Sequence, residues 1–234
     1  MRNIFFIIIF AVFFSCSPTN ILIKQHFMSL KNKDEIVVVI FGDSISAGGG
    51  ESETSETWGS CLKPKLRDMF NKKISLINSS RKNESFRFAH RRVQEDILSY
   101  RPDMVFVMLG MVDAFSSGLP EMAAKKEVND FFSILKENGV FVIVLTTTCV
   151  RDINDINDPR EKMLSGYNDI IRDAAAFNNF PLIDIQKKME SLMILKQKEY
   201  LSLFDEPFLL SDKGNRYIAD YIFNRLTKIV GNDF

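Results

Sequence analysis

The chain has 234 residues, a length suited to one α/β domain with a large core. Its 30 basic and 30 acidic residues cancel, so charge gives no reason to expect a nucleic-acid partner. With 46% apolar and 26% charged residues, neither a disordered chain nor a polytopic membrane protein fits. Two histidines, His26 and His90, exclude a multi-histidine metal centre, and the cysteines Cys16, Cys61 and Cys149 form no C-x-x-C pair. No metal and no cofactor are expected.

The N-terminus reads as an address. Arg2 precedes an apolar run from Ile4 to Phe14, too short for a hydrocarbon core that needs about 20 residues. Ser15-Cys16-Ser17-Pro18 follows, and the segment resembles a bacterial lipoprotein signal. That resemblance implies cleavage before Cys16, lipidation of Cys16, and export to a bacterial cell envelope with membrane attachment. The alternative is a signal anchor continuing through Ile21-Leu22-Ile23. Residues 1–15 are then the signal, 16–34 a tether without clear periodicity, and 35–234 the domain; His26 is expected as a linker or surface residue.

Five β-rich runs follow in order: Ile36–Phe41, Ile74–Ile77, Met104–Leu109, Val140–Leu145 and Pro181–Asp184. The central ones are apolar on both faces, as in a parallel sheet covered by helices. Helices are expected at Trp58–Phe70 (with Pro64 forcing a kink or a later start), Ser85–Tyr100, Pro120–Asn138, Pro159–Asn178, Ile185–Tyr200 and Asp212–Val230. The stretch Gly48–Thr57 reads as a flexible loop. The alternation gives a three-layer α/β sandwich with a five-stranded parallel sheet in the order 2-1-3-4-5.

Parallel sheets place function at the carboxyl ends of their strands. After the first strand stands Gly42-Asp43-Ser44, after the second Asn78-Ser79-Ser80, and after the third Gly110-Met111-Val112-Asp113. Asp205-Glu206-Pro207-Phe208 and Ser211-Asp-Lys-Gly-Asn-Arg-Tyr-Ile-Ala-Asp220 precede and open the last helix. With these blocks the chain resembles the GDSL esterase/lipase family, the SGNH hydrolases. The resemblance implies metal-free, serine-dependent hydrolysis of esters in lipids or acylated sugars. It carries the nucleophile to Ser44 and the acid to Asp205. It carries the oxyanion donors to the backbone of Ser44 and of Ser80, and to position 112.

Three positions depart from the family pattern. Ser80 replaces a glycine and keeps only a backbone N–H. Val112 replaces an asparagine and has no side-chain donor. Phe208, or Leu209 in a shifted register, stands where the histidine belongs. A serine hydroxyl without a base is not nucleophilic near neutral pH, so the sequence favours an inactive member that binds an acyl or glycan ligand. An active esterase with an unusual base, Asp205 through water or His90, is the first alternative; a structural lipoprotein is the second. His90, among Arg87, Arg91 and Arg92, reads as a surface or helix-packing residue beside a solvated basic face. Cys149 reads as a small buried residue, Trp58 as core or a sugar-stacking ring, and Met104, Met108 and Met111 as core filler. Cys61 and Cys149 could pair or stay reduced.

Overall fold

Alternate side chains of the central strands are buried in opposite directions, and this fixes the three layers. In the computed structural model, described for residues 18–48, 56–116, 118–149 and 159–231, the strands are β1 (Glu35–Gly42), β2 (Lys73–Asn78), β3 (Met104–Met108), β4 (Val142–Leu145) and β5 (Leu182–Ile183). They form one parallel sheet in the order β2-β1-β3-β4-β5. Val38 and Ile40 of β1 and Met104, Phe106 and Met108 of β3 face one core. Val39, Phe41, Val105 and Val107 face the other. The side chains point to opposite faces because the strand period is two.

The helices, in chain order, are α1 (Pro18–Leu30), α2 (Ser44–Ala47), α3 (Trp58–Phe70), α4 (Phe86–Ala89), α5 (Val93–Asp96), α6 (Met111–Ser116), α7 (Glu121–Glu137), α8 (Pro159–Asn178), α9 (Ile185–Leu195), α10 (Gln197–Leu201) and α11 (Asp212–Val230). The layer containing α1, α3 and α11 covers one face, and the layer containing α4, α7 and α8 covers the other.

Several expectations change. Residues 18–30 are a helix rather than a tether: Ile23, Phe27 and Leu30, spaced one helical turn apart, are buried in the first core. Each contributes about 1.5–3 kcal/mol of burial, so α1 is part of the domain. The exposed Ile21, Leu22 and Met28 blur its apolar stripe in the sequence. Ile23 also belongs to this core rather than to a continuing membrane anchor, and no helix of the described residues is long and apolar enough to cross a membrane. His26 is half-buried instead of lying in a linker, stacked on Phe141 with its Nε2 2.7 Å from the Asp103 carbonyl oxygen.

Pro64 neither delays nor ends α3. Thr57 caps the helix in a reciprocal bond pair with Ser60, and the buried Trp58, Leu62, Leu66 and Phe70 anchor every turn. The helix expected over 85–100 is broken into α4, a 3₁₀ turn His90–Arg92, α5 and a second 3₁₀ turn Leu98–Tyr100. There Arg92 is drawn inward, its Nε 2.7 Å from Glu84, Nη1 2.6 Å from Asp96, and its guanidinium over the Phe41 ring. That tertiary ion cluster overrides helical periodicity. A similar interruption at Lys196, with φ −146°, divides α9 from α10. The Gly48–Thr57 loop lies mostly outside the described residues.

Gly214, in the first turn of α11, has the closest backbone neighbour. A Cβ there would stand 2.0 Å from the Leu203 carbonyl oxygen, and Ser211 Oγ caps its N–H at 3.1 Å. Gly214→Ala is therefore expected to lower stability by about 3 kcal/mol or more through overpacking against backbone. A urea titration should show a lower midpoint with an unchanged slope; an unshifted midpoint would mean the 203–214 segment yields freely.

Candidate active site at the carboxyl edge

Ser44 begins α2 directly after β1, as the Gly-Asp-Ser block requires. The turn is tight: a Cβ on Gly42 would lie 2.5 Å from the Met108 carbonyl oxygen and 2.5 Å from Ser46 Oγ. Asp43, fully buried, caps α2. Its Oδ1 accepts from the Ile45 N–H at 3.1 Å, and its Oδ2 accepts from the Met111 N–H at 3.3 Å. The first block is thus tied to the third. Sequence reasoning gave Asp43 no role, although an aspartate just before a short helix carries the signal of an N-cap.

Asp113, of the third block, is also buried, and both its carboxylate oxygens accept from the Phe86 N–H, at 3.1 and 3.2 Å. Burial is the largest influence on both carboxyls. It pushes Asp43 up to about 7, with the Asp113 charge adding to it and the Ile45 and Met111 N–H groups opposing. It pushes Asp113 up to about 7 as well, against the Phe86 N–H.

Ser44 Oγ accepts a hydrogen bond from the Asn83 N–H at 3.0 Å. No imidazole serves it. His26 sits beside Asp103, just before β3 and so at the opposite, amino edge of the sheet. His90 is exposed on the 3₁₀ turn after α4 and makes no hydrogen bond to Ser44.

The oxyanion positions differ too. The Ser80 N–H donates to Asn78 Oδ1 at 3.1 Å, so this donor is turned into its own loop, while Asn78 Nδ2 donates to the Ser46 carbonyl at 2.8 Å. Val112 lines a cavity of about 150 Å³ with Ser85, Arg87, Phe88, Asp113, Leu119 and Glu127. Its isopropyl group offers no donor.

Asp205 lies on an exposed turn closed by a bridge between Phe204 and Leu210, with its N–H on the Leu209 carbonyl at 3.1 Å. Phe208 packs on Phe115 of α6 with ring centroids 5.0 Å apart, and the Arg160 guanidinium stands 5.8 Å above the Phe208 ring. Position 208, to which the resemblance assigns the imidazole, thus holds an aromatic contact with α6. Neither Phe115 nor Arg160 is marked in the sequence by any motif.

Cys61 and Cys149 are free thiols, and Trp58 is a core residue whose Nε1 donates to Ser46 Oγ at 3.1 Å. Cys16 falls outside the described residues. Among the described residues, metal-ligating side chains converge at Cys149, Glu161 and Glu190, beyond β4, and not around Ser44.

Comparison with known proteins agrees with this layout. The profile of the GDSL-like lipase/acylhydrolase family matches residues 40–217. A Bacillus subtilis (strain 168) protein titled uncharacterized lipoprotein YqeF is 24% identical over 172 residues, covering 63% of this chain and 69% of that protein. A lipase/acylhydrolase from Enterococcus faecalis superposes with a TM-score of 0.68 at 19% identity, covering 82% of this chain and 96% of the other. An acetyl xylan esterase, AlAXEase, superposes with a TM-score of 0.68 at 25% identity, covering 81% and 99%.

Proposed function

Because the chain belongs to the GDSL-like lipase/acylhydrolase family, we propose that it keeps the family's ester-facing edge but binds an acyl ester or acylated glycan without hydrolysing it. The observation that carries this reading is the aromatic contact of Phe208 on Phe115 in the place of a base. Ser44 Oγ, held by the Asn83 N–H, has no imidazole among the described residues to raise its nucleophilicity. The apolar side chains of Phe88, Val112 and Leu119 that line the cavity beside the third block favour retaining an acyl group. The solved esterases with this fold support the ligand class.

The same relatives, together with the family match and the retained Ser44, favour a second reading: an active ester hydrolase whose base is Asp205 through water, or His90. A fluorophosphonate probe and an acetylated xylo-oligosaccharide, applied to the full chain, separate the readings. The proposal expects saturable binding of the oligosaccharide and no probe on Ser44. Probe on Ser44 would establish the hydrolase. Neither binding nor labelling would leave a structural lipoprotein.

We also propose that Cys16 is the lipidated first residue of the mature, exported protein, anchored in a bacterial cell envelope. The short apolar run, Ser15-Cys16 and the lipoprotein relative support it. Because α1 starts at Pro18, such an anchor would seat the domain against the membrane rather than on a tether. Labelling with a fatty-acid analogue should mark the chain and be lost in Cys16→Ala. Equal labelling of the variant would refute the anchor.

A further inference from the structure

We propose that Cys149, Glu161 and Glu190 form a site for one thiophilic divalent cation of the zinc type, separate from the Ser44 edge and independent of whether that edge hydrolyses anything. Three elements meet there. Cys149 lies four residues beyond β4, Glu161 is in the first turn of α8, and Glu190 is midway along α9. Their ligand atoms, one thiol sulfur and two carboxylate oxygens, all lie within 4.8 Å of one another. In the strand order β1-β3-β4 the site is two strands from Ser44, about 10 Å along the sheet.

Cys149 is 2% exposed. Burial, and then the Glu161 and Glu190 charges, push its thiol well up; burial, and then the Glu161 charge, push the Glu190 carboxyl up. The Arg172 and Lys187 charges oppose the rise at Glu190 without cancelling it. Arg172 is engaged with Asp184 at 2.8 Å, with Asp169 at 2.7 Å and with Gln186 Oε1 at 2.9 Å.

That last contact is informative. Gln186 is fully buried, and with its Oε1 fixed by Arg172 its Nε2 donates to Glu161 Oε1 at 3.3 Å. The Cys149 thiol donates to the Gln186 backbone carbonyl oxygen at 3.6 Å. A charged side chain thus orients a buried amide, and the amide orients a ligand carboxylate, the arrangement that supports metal ligands from behind.

The donor set selects the cation. A thiol beside carboxylates is unsuited to magnesium or calcium, which take oxygen, and suits zinc, which takes sulfur and oxygen in a tetrahedron. Around zinc, adjacent ligand atoms stand roughly 3.3–3.5 Å apart given the usual bond lengths. The two glutamates are half-buried side chains on helices and can close the remaining gap by rotation. A water takes the fourth position. Binding would release the proton of the Cys149 thiol to solvent, because the ligand is the thiolate.

The full chain, stripped with a chelator, should take up one zinc ion that survives desalting. Cobalt in its place should give a sulfur-to-cobalt charge-transfer band. Cys149→Ser should abolish the band, and Glu190→Gln should weaken zinc binding by at least about 10-fold. Cys61→Ser should bind as the parent does. Should Cys149→Ser fail to fold, Glu190→Gln with the parent's circular dichroism decides alone. No retained zinc, or equal retention by Glu190→Gln and Cys149→Ser, overturns the site.

Discussion

The full chain is expected to hydrolyse short acyl esters no faster than a buffer blank, and Ser44→Ala to leave that rate unchanged. Losing one oxyanion donor costs roughly 10²–10³ in rate. A serine hydrolase without one triad member retains roughly 10³–10⁴ over water, supplied by its oxyanion hole and substrate binding. Here that residue is eroded as well: Val112 donates nothing, and the Ser80 N–H is spent on Asn78 Oδ1. On the proposed reading, base and most oxyanion stabilisation are lost together, and Ser44 contributes nothing measurable to turnover. Phe208→His combined with Val112→Asn restores one proton acceptor and one donor and should lift turnover at least about 10-fold above the parent. Gain should require both changes and should vanish when Ser44→Ala is added. Clear Ser44-dependent turnover by the unaltered chain would sink the reading and make Asp205 and His90 the first residues to replace.

The strands were legible because both faces of the sheet are covered: an unbroken run such as Ile36–Phe41 has no other comfortable place. Ser44 was legible because a Gly-Asp-Ser turn at the end of a strand has one position in this fold. What the sequence hid is tertiary. Ile23, Phe27 and Leu30 form a stripe, but Ile21 and Leu22 beside them remain exposed, so the helical period is blurred in the sequence. Arg92 reads as one of three surface arginines, yet it is the one drawn inward over Phe41, and it breaks the helix that its neighbours favour. The spending of the Ser80 N–H depends on how Asn78 turns, and the closure of Phe208 on Phe115 joins residues 93 positions apart. Local pattern encodes neither.

Stability should fall as pH rises from about 4 to 7, because of Asp43 and Asp113. Both carboxyls ordinarily titrate at 3.8, and burial pushes each up to about 7 in the fold. Between those values the native state binds more protons than the unfolded chain, and stability then decreases with pH. The contribution is fully present below 3.8 and is lost as pH passes about 7. Each fully retained proton is worth about 1.4 kcal/mol per pH unit, or about 4 kcal/mol across the window. Groups held low, such as Asp184, where burial is outweighed by Arg172, the Lys187 N–H and the Thr146 hydroxyl together, lose their contribution only at lower pH. Asp113→Asn is the cleaner probe. The Phe86 N–H reaches both Asp113 oxygens, so an amide oxygen can keep that bond beside the Tyr167 hydroxyl, whereas the two Asp43 oxygens serve two separate N–H donors. Removing the Asp113 charge also relieves Asp43, whose shift it augments. Urea titrations at pH 5 and 7.5 should show the parent losing stability with rising pH. The variant should lose markedly less, so that the difference between the two chains moves in its favour by about 2.5–3 kcal/mol. A parent whose stability is flat or rises over this interval would mean that both carboxyls are ionised in the fold at little cost.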